Sequence, residues 1–173
     1  MPFDTIGRRD KRGPSLEARD APAVPVDVSA YGQRAAEILG VQGIFRRRMG
    51  SPVAVHEVLH AGLPSRALLK VMQTDIAPPL LLEVFGVSLR TFMRLKADPS
   101  RPLGPEQSSR VWQFAEIMAK AEDVLGSTDR AVDWMLRPAI ALENRRPIDL
   151  LTTSIGAQLV DDVIERMRHG VYQ

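Results

Sequence analysis

Residues 78–96 read PPLLLEVFGVSLRTFMRLK. Pro78 and Pro79 fix the backbone torsions that open a helix, and their missing N–H groups cost nothing in its first turn. Leu80 to Phe85 continue that helix to Gly86, whose lack of a side chain suits the left-handed backbone of a sharp bend. Ser88 stands where it can cap a second helix, which should end near Asp98-Pro99. Leu81 and Phe85 on the first arm, Val87 at the bend, and Phe92 and Leu95 on the second arm supply the apolar contacts that fix a steep crossing. Leu82 is large for a position where the two arms touch, which predicts a wider crossing or a rotated helix. The free face of the second helix carries Arg90, Thr91, Arg94 and Lys96, with no acidic residue between Ser88 and Lys96. Two readings fit. In one, the second helix enters a DNA major groove, with arginine forking onto guanine and lysine and threonine on phosphates. In the other, the unit is a helical hairpin with a solvated basic face.

Helical signals continue on both sides of this stretch, and no segment shows the alternation of a strand, so the chain reads as all-α. Residues 29–39 form a short helix ended by Gly40. Ser51 caps another to about Ala61, stopped by Gly62 and Pro64, and residues 65–74 form a third with Leu68, Leu69 and Met72 on one side. Pro105 opens the longest helix, to Leu125 and Gly126, and its residues Val111, Phe114, Met118, Ala121 and Leu125 repeat at the spacing of a buried stripe. Ser127 or Thr128 caps the next, which ends at Leu136 before Pro138. Thr153 caps the last. There Ile155, Leu159, Val160, Val163 and Met167 are expected to face inward, and Asp161, Asp162 and Glu165 to face water. Arg166, Arg168 and His169 complement the dipole at its end, before Gly170.

The 173 residues fit one ordinary domain or two very small ones, and 45% hydrophobic with 25% charged residues is a globular balance. A net charge of +2 means that any nucleic-acid contact must come from a local cluster. The absence of cysteine excludes disulfides, thiolate metal sites and cysteine nucleophiles. Residues 1–27 mix both charge signs with Pro14, Pro22 and Pro25 and show no apolar period, as expected of a flexible tail. MPFDTIGRRDKRG lacks the apolar run of a signal peptide, and no stretch is apolar enough for a membrane span, so a cytoplasmic location without membrane contact is expected.

His56-Glu57-Val58-Leu59-His60 matches the H-E-x-x-H pattern of zinc proteases, in which two imidazoles one turn apart hold the metal beside a carboxylate. A third ligand is missing where the long form of that motif needs it: three and six residues after His60 stand Leu63 and Arg66. Glu83 lies in the candidate DNA-reading unit and His169 at the far end. The better reading puts Val55, Val58 and Leu59 toward the core and His56, Glu57 and His60 on an exposed face. No nucleophile–base pair, phosphate loop or carboxylate dyad is visible either. A non-enzyme without cofactor or metal is expected, with a small metallopeptidase as the contrasting class.

The chain from Arg101 onward resembles the toxin-binding domain of the Xre/MbcA/ParS antitoxin family. The matching residues are Pro105-Glu106 with Arg110, Ala121-Glu122 before Gly126, Ala131 with Trp134, and Pro138. Arg146-Pro147 with Leu150-Leu151, Thr153 with Gly156, and His169-Gly170-Val171-Tyr172 follow in order. Upstream, Gly62-Leu63-Pro64 and Gly86-Val87-Ser88 with Arg90-Thr91 resemble that family's Xre-like helix-turn-helix half. The resemblance covers roughly residues 50–173. It departs at Glu143-Asn144, where a glycine pair is frequent and where Asn144 can still take a left-handed turn, and at Leu89, where a basic residue is common.

The resemblance implies a type II antitoxin with three parts: a flexible tail (1–27), an Xre-like helix-turn-helix domain (28–102) and a C-terminal toxin-binding domain (103–173). Its expected partners are a RES-domain toxin that consumes NAD, operator DNA, and a second copy of itself in a homodimer burying apolar surface around Trp134 and the long helix. Ser88, Arg90, Thr91, Arg94 and Lys96 would contact DNA, making the protein a repressor of its own operon. Arg166, Arg168, His169, Gly170, Val171, Tyr172 and Gln173 would enter and rim the toxin's cleft, with Tyr172 as a rigid aromatic anchor and the terminal carboxylate suited to a phosphate pocket. The contrasting non-enzyme reading is a stand-alone transcriptional regulator whose C-terminal part binds another partner.

Overall fold

A computed structural model describes residues 28–45 and 51–170; the tail at 1–27 and the segment 171–173 lie outside the described residues. Ten α-helices and one 3-10 turn make up the described part, and it contains no strand, only the isolated bridges Pro64–Pro102 and Ala139–Arg145. The helices are α1 (Val28–Ile38), α2 (Gln42–Phe45), α3 (Pro52–Ala61), α4 (Ser65–Val71), α5 (Pro78–Val84) and α6 (Leu89–Ala97). After them come α7 (Pro105–Leu125), α8 (Thr128–Leu136), the 3-10 turn Ile140–Leu142, α9 (Pro147–Leu150) and α10 (Ser154–Arg168). No helix among the described residues is long and apolar enough to cross a membrane.

Local chemistry sets the boundaries. Ser51, Ser88, Ser127 and Thr153 each accept a backbone N–H of the first turn through the side-chain oxygen, which satisfies a donor the helix cannot. Pro105 occupies the first turn of α7, and Gly126 closes it with a left-handed φ of 87°. The third predicted helix ends at Val71 rather than Thr74, because the Thr74 hydroxyl donates to the Val71 carbonyl at 2.8 Å and turns the chain. Glu143 and Asn144 both take left-handed backbone, with φ of 55° and 60°, so the turn survives without the glycine pair.

The core is organised around α7. Helices α1, α3, α8 and α10 all pack on it, and Val111, Phe114, Ala115, Met118 and Ala121 are at most 2% exposed. Phe85 from the end of α5 meets Phe114 edge-on at 5.5 Å, and Phe45 from α2 lies 4.6 Å from Trp112. Burying such rings stabilises by about 1.5–3 kcal/mol each. Most apolar residues of α7 thus face their own chain, while Val124, Leu125 and Trp134 are only partly buried against the core.

A polar seam holds the first half to α7. The Leu63 N–H donates to the buried Ser108 hydroxyl (2.9 Å), and the Leu103 N–H donates back to the Leu63 carbonyl (2.8 Å). The Ser65 hydroxyl, fully buried, donates to the Asp98 carbonyl at 2.7 Å. Both buried serines thus have partners, as buried polar groups require.

The last helix departs from expectation. Val160, Val163 and Ile164 are buried, but Ile155 and Leu159, expected to face inward, are 73% and 48% exposed. The inward stripe instead begins with Gly156 and Ala157. A Cβ at Gly156 would run into the Leu150 carbonyl oxygen, so only the small side of the helix passes under the α9 turn. Asp161 and Glu165 also do not simply face water: both are half-buried beside the Lys120 ammonium.

Candidate functional site

Two surfaces carry the residues that the sequence singles out. The first is the helix pair α5–α6. Gly86 bends the chain with φ of 62°. Leu81, Phe85, Val87 and Leu95 are buried and Phe92 half-buried, so all five expected apolar positions turn toward the core. Leu82 sits half-buried against the same core. The Ser88 hydroxyl accepts the Thr91 N–H at 3.2 Å and lies 3.0 Å from the Thr91 hydroxyl, fixing the first turn of α6. Arg90, Arg94 and Lys96 are exposed and make no ion pair among the described residues. Their charges are free for an anionic partner.

Arg110 on α7 fastens this unit to the other half. Its Nη1 donates to the Val84 and Thr152 carbonyls, both at 3.3 Å, and its Nη2 to Glu106 at 2.8 Å. The same guanidinium lies against the position a Cβ on Gly86 would take. One side chain therefore touches the end of α5, the bend and the turn before α10.

The second surface is the outer face of α10. With 3.6 residues per turn, Ile155, Leu159, Asp162, Arg166 and His169 line up along it, and all five are exposed. Arg166 and His169, two of the expected partner-binding residues, thus share a face with the two apolar residues that sequence patterning placed inside. Ile140, 85% exposed, belongs to the 3-10 turn packed against α10. Arg168 points the other way. Its Nη2 donates to Asp123 at 3.2 Å, and its guanidinium lies 4.8 Å from the Tyr31 ring centroid on α1. The Tyr31 hydroxyl donates to Asp123 at 2.9 Å, and burial together with that bond raises the phenol's pKa, so it stays a donor. Gly170 ends the described part with φ of 66°; Val171, Tyr172 and Gln173 lie outside the described residues.

Between α7 and α10 the Lys120 ammonium donates to both Asp161 oxygens at 2.7 and 2.8 Å and lies 3.6 Å from Glu165. Sequence reading missed this lysine; a lone cation inside the apolar stretch IMAKA was its signal. Beside it, Glu116 lines an open cleft of about 330 Å³ with Gln113, Ser154 and Gln158. Desolvation raises the Glu116 pKa, with a Trp112 hydrogen bond and the Lys120 charge opposing it. The folded protein therefore holds the Glu116 proton to higher pH than the unfolded chain does, and stability falls as pH rises through the folded pKa. Glu116→Gln should unfold at a higher temperature than the parent at neutral pH, and the gain should vanish as pH falls into the ordinary carboxylate range. Melting curves across that range check it.

His56, Glu57 and His60 are exposed on α3, with the two imidazoles stacked 6.0 Å apart. Among the described residues no group of three His, Asp or Glu side chains is placed to hold a metal.

Comparison with known proteins matches the two surfaces to two domains. Residues 54–116 match the antitoxin Xre-like helix-turn-helix domain, and residues 120–170 match the antitoxin Xre/MbcA/ParS C-terminal toxin-binding domain. The segments meet within α7, and α1 lies outside both. The chain is 36% identical over 93 residues to an Antitoxin Xre of Yersinia enterocolitica, covering 53% of this chain and 62% of that protein, just short of two thirds of its length. An Antitoxin Xre of Photorhabdus laumondii is 28% identical over 119 residues, 68% of this chain and 80% of the relative. A Prs ADP-ribosylating antitoxin of a Sphingobium species is 31% identical over 86 residues, 44% and 54% of the two chains.

Proposed function

We infer the function from one premise: the chain belongs to the Xre/MbcA/ParS-type antitoxins, with a helix-turn-helix domain followed by a toxin-binding domain. On that premise the protein neutralises a RES-domain toxin that consumes NAD. The outer face of α10 and the segment after it cover the toxin's active-site cleft. Operator DNA binds α6, so that the chain represses its own operon from the cytoplasm as a homodimer of a type II system. It is not itself an enzyme.

The observation that carries this reading is the α10 face. Ile155 and Leu159 lie open one turn apart on it, with Ile140 exposed on the turn packed against α10, and all three lie inside the segment matching a toxin-binding domain. Arg166 and His169 extend the face with groups suited to an acidic cleft rim. The Sphingobium relative's name points to ADP-ribosyl chemistry, which draws on NAD, and this supports an NAD-using partner. Co-expression with the cognate RES-domain toxin tests it. The parent chain should restore growth, and Ile155→Asp with Leu159→Asp should fail to do so while remaining folded. Full rescue by that variant would remove α10 from the interface.

For DNA, Arg90→Ala or Arg94→Ala should weaken operator binding by roughly 1–3 kcal/mol if the arginine reads a guanine. A phosphate contact would instead lower affinity for all sequences and flatten its salt dependence. Gel-shift titration at two salt concentrations distinguishes the two outcomes.

A further inference from the structure

The outward side of α6 is apolar as well as basic. Leu89 is 67% exposed and Met93 59% exposed, and Ala97, one turn further along, is exposed as well. With Leu95 turned into the core, the helical period puts Met93 and Ala97 nearest the direction away from the body, with Arg90 and Arg94 on one side of it and Leu89 and Lys96 on the other. Leu89 and Met93 thus offer a partner apolar area that the core leaves open. Arg90, Arg94 and Lys96, which make no ion pair among the described residues, flank them, and no acidic residue occurs on α6. Basic and apolar groups side by side on one exposed helix surface match a major groove: phosphates line its walls, and on its floor the apolar group is the C5-methyl of thymine.

We propose that Leu89 and Met93 read thymine methyl groups, so that the operator carries thymines where the start and middle of α6 meet the groove floor. The proposal rests on the DNA-binding reading above and deepens it. Arg90 and Arg94 supply affinity and guanine contacts, and the two apolar residues beside them select thymine. Cytosine offers no methyl at that place, and adenine and guanine present polar edges there.

The test uses the full chain and a duplex selected by it from a random-sequence pool. The selected duplex is resynthesised with deoxyuridine in place of thymine, position by position, which removes only the methyl. The parent protein should lose on the order of fourfold in affinity at each contacted methyl, from the transfer energy of about one buried carbon, and about tenfold or more when two are removed together. Leu89→Ala and Met93→Ala should bind the thymine duplex more weakly, each losing the thymine–uracil difference at one position. Their melting temperatures should match the parent's, since both side chains are exposed. Equal affinity of the parent for thymine and uracil duplexes at every position would overturn methyl reading while leaving DNA binding intact. Loss of self-association in the two variants, with the thymine preference kept, would show the stripe to be a protein contact and overturn it too. Failure of the parent to enrich any duplex would remove the DNA-binding reading and this inference with it.

Discussion

Deleting Val171, Tyr172 and Gln173 is expected to abolish neutralisation of the toxin while leaving the fold and self-association unchanged. The reason lies in how α10 is mounted. Val160, Val163 and Ile164 are buried in the core, Lys120 grips Asp161 from α7, and Arg168 reaches back to Asp123 and the Tyr31 ring. The helix that carries the cleft-facing residues is therefore held at a fixed point, which lowers the cost of presenting them. An aromatic anchor in a desolvated pocket commonly accounts for 2 kcal/mol or more of an interface, so its loss should weaken toxin binding by about 30-fold or more. Co-expression toxicity and a binding titration with the purified toxin measure the effect. Full inhibition by the shortened chain would leave the exposed face of Ile155 and Leu159 as the blocking surface.

Replacing Lys120 by methionine should be the most damaging single change to the scaffold outside the apolar core. The substitution leaves Asp161 at a half-buried helix interface without its counter-charge, and Glu165 with only Arg168, 3.7 Å away. Breaking a fully buried pair costs about 3–5 kcal/mol. Here Asp161 keeps 34% of its side chain exposed, so solvent screening reduces the loss to roughly 2–3 kcal/mol, a fall of about 5–10 °C in melting temperature for a chain of this size. Adding Asp161→Leu should recover part of that loss, since an apolar pair of similar volume replaces the ions without stranding a charge. Thermal unfolding of the single and double variants checks both numbers. A single variant that melts with the parent would mean that the ion cluster contributes nothing to docking α10.

What the sequence discloses follows from the range over which each signal acts. Caps are local: Ser51, Ser88 and Thr153 sit one residue before helices that begin where those residues require. The long period of α7 is equally plain, because its apolar residues meet neighbours on several sides. The four-residue α2 leaves no period to detect. The rotation of α10 was missed because Ile155 and Leu159 share the spacing of a buried stripe. Only the Leu150 carbonyl, close enough to exclude a Cβ at residue 156, shows that the small residues Gly156 and Ala157 must turn inward. Similarly, 41 residues separate Lys120 from Asp161, and no local pattern couples them. At the candidate sites, the basic residues of α6 were legible from their position after the Gly86 bend. That Leu89 and Met93 stay exposed beside them became visible only when Leu95 and Phe92 fixed which side faces the core.

The central claim is that α10 and the residues beyond it occupy the toxin's NAD cleft. The most direct measurement is NAD consumption by the purified toxin at several antitoxin concentrations, with NAD varied across its KM. Competitive inhibition, relieved as NAD rises and lost on deletion of residues 171–173, is the expected result. Inhibition that NAD cannot relieve, or a ternary complex of toxin, NAD and antitoxin, would contradict it.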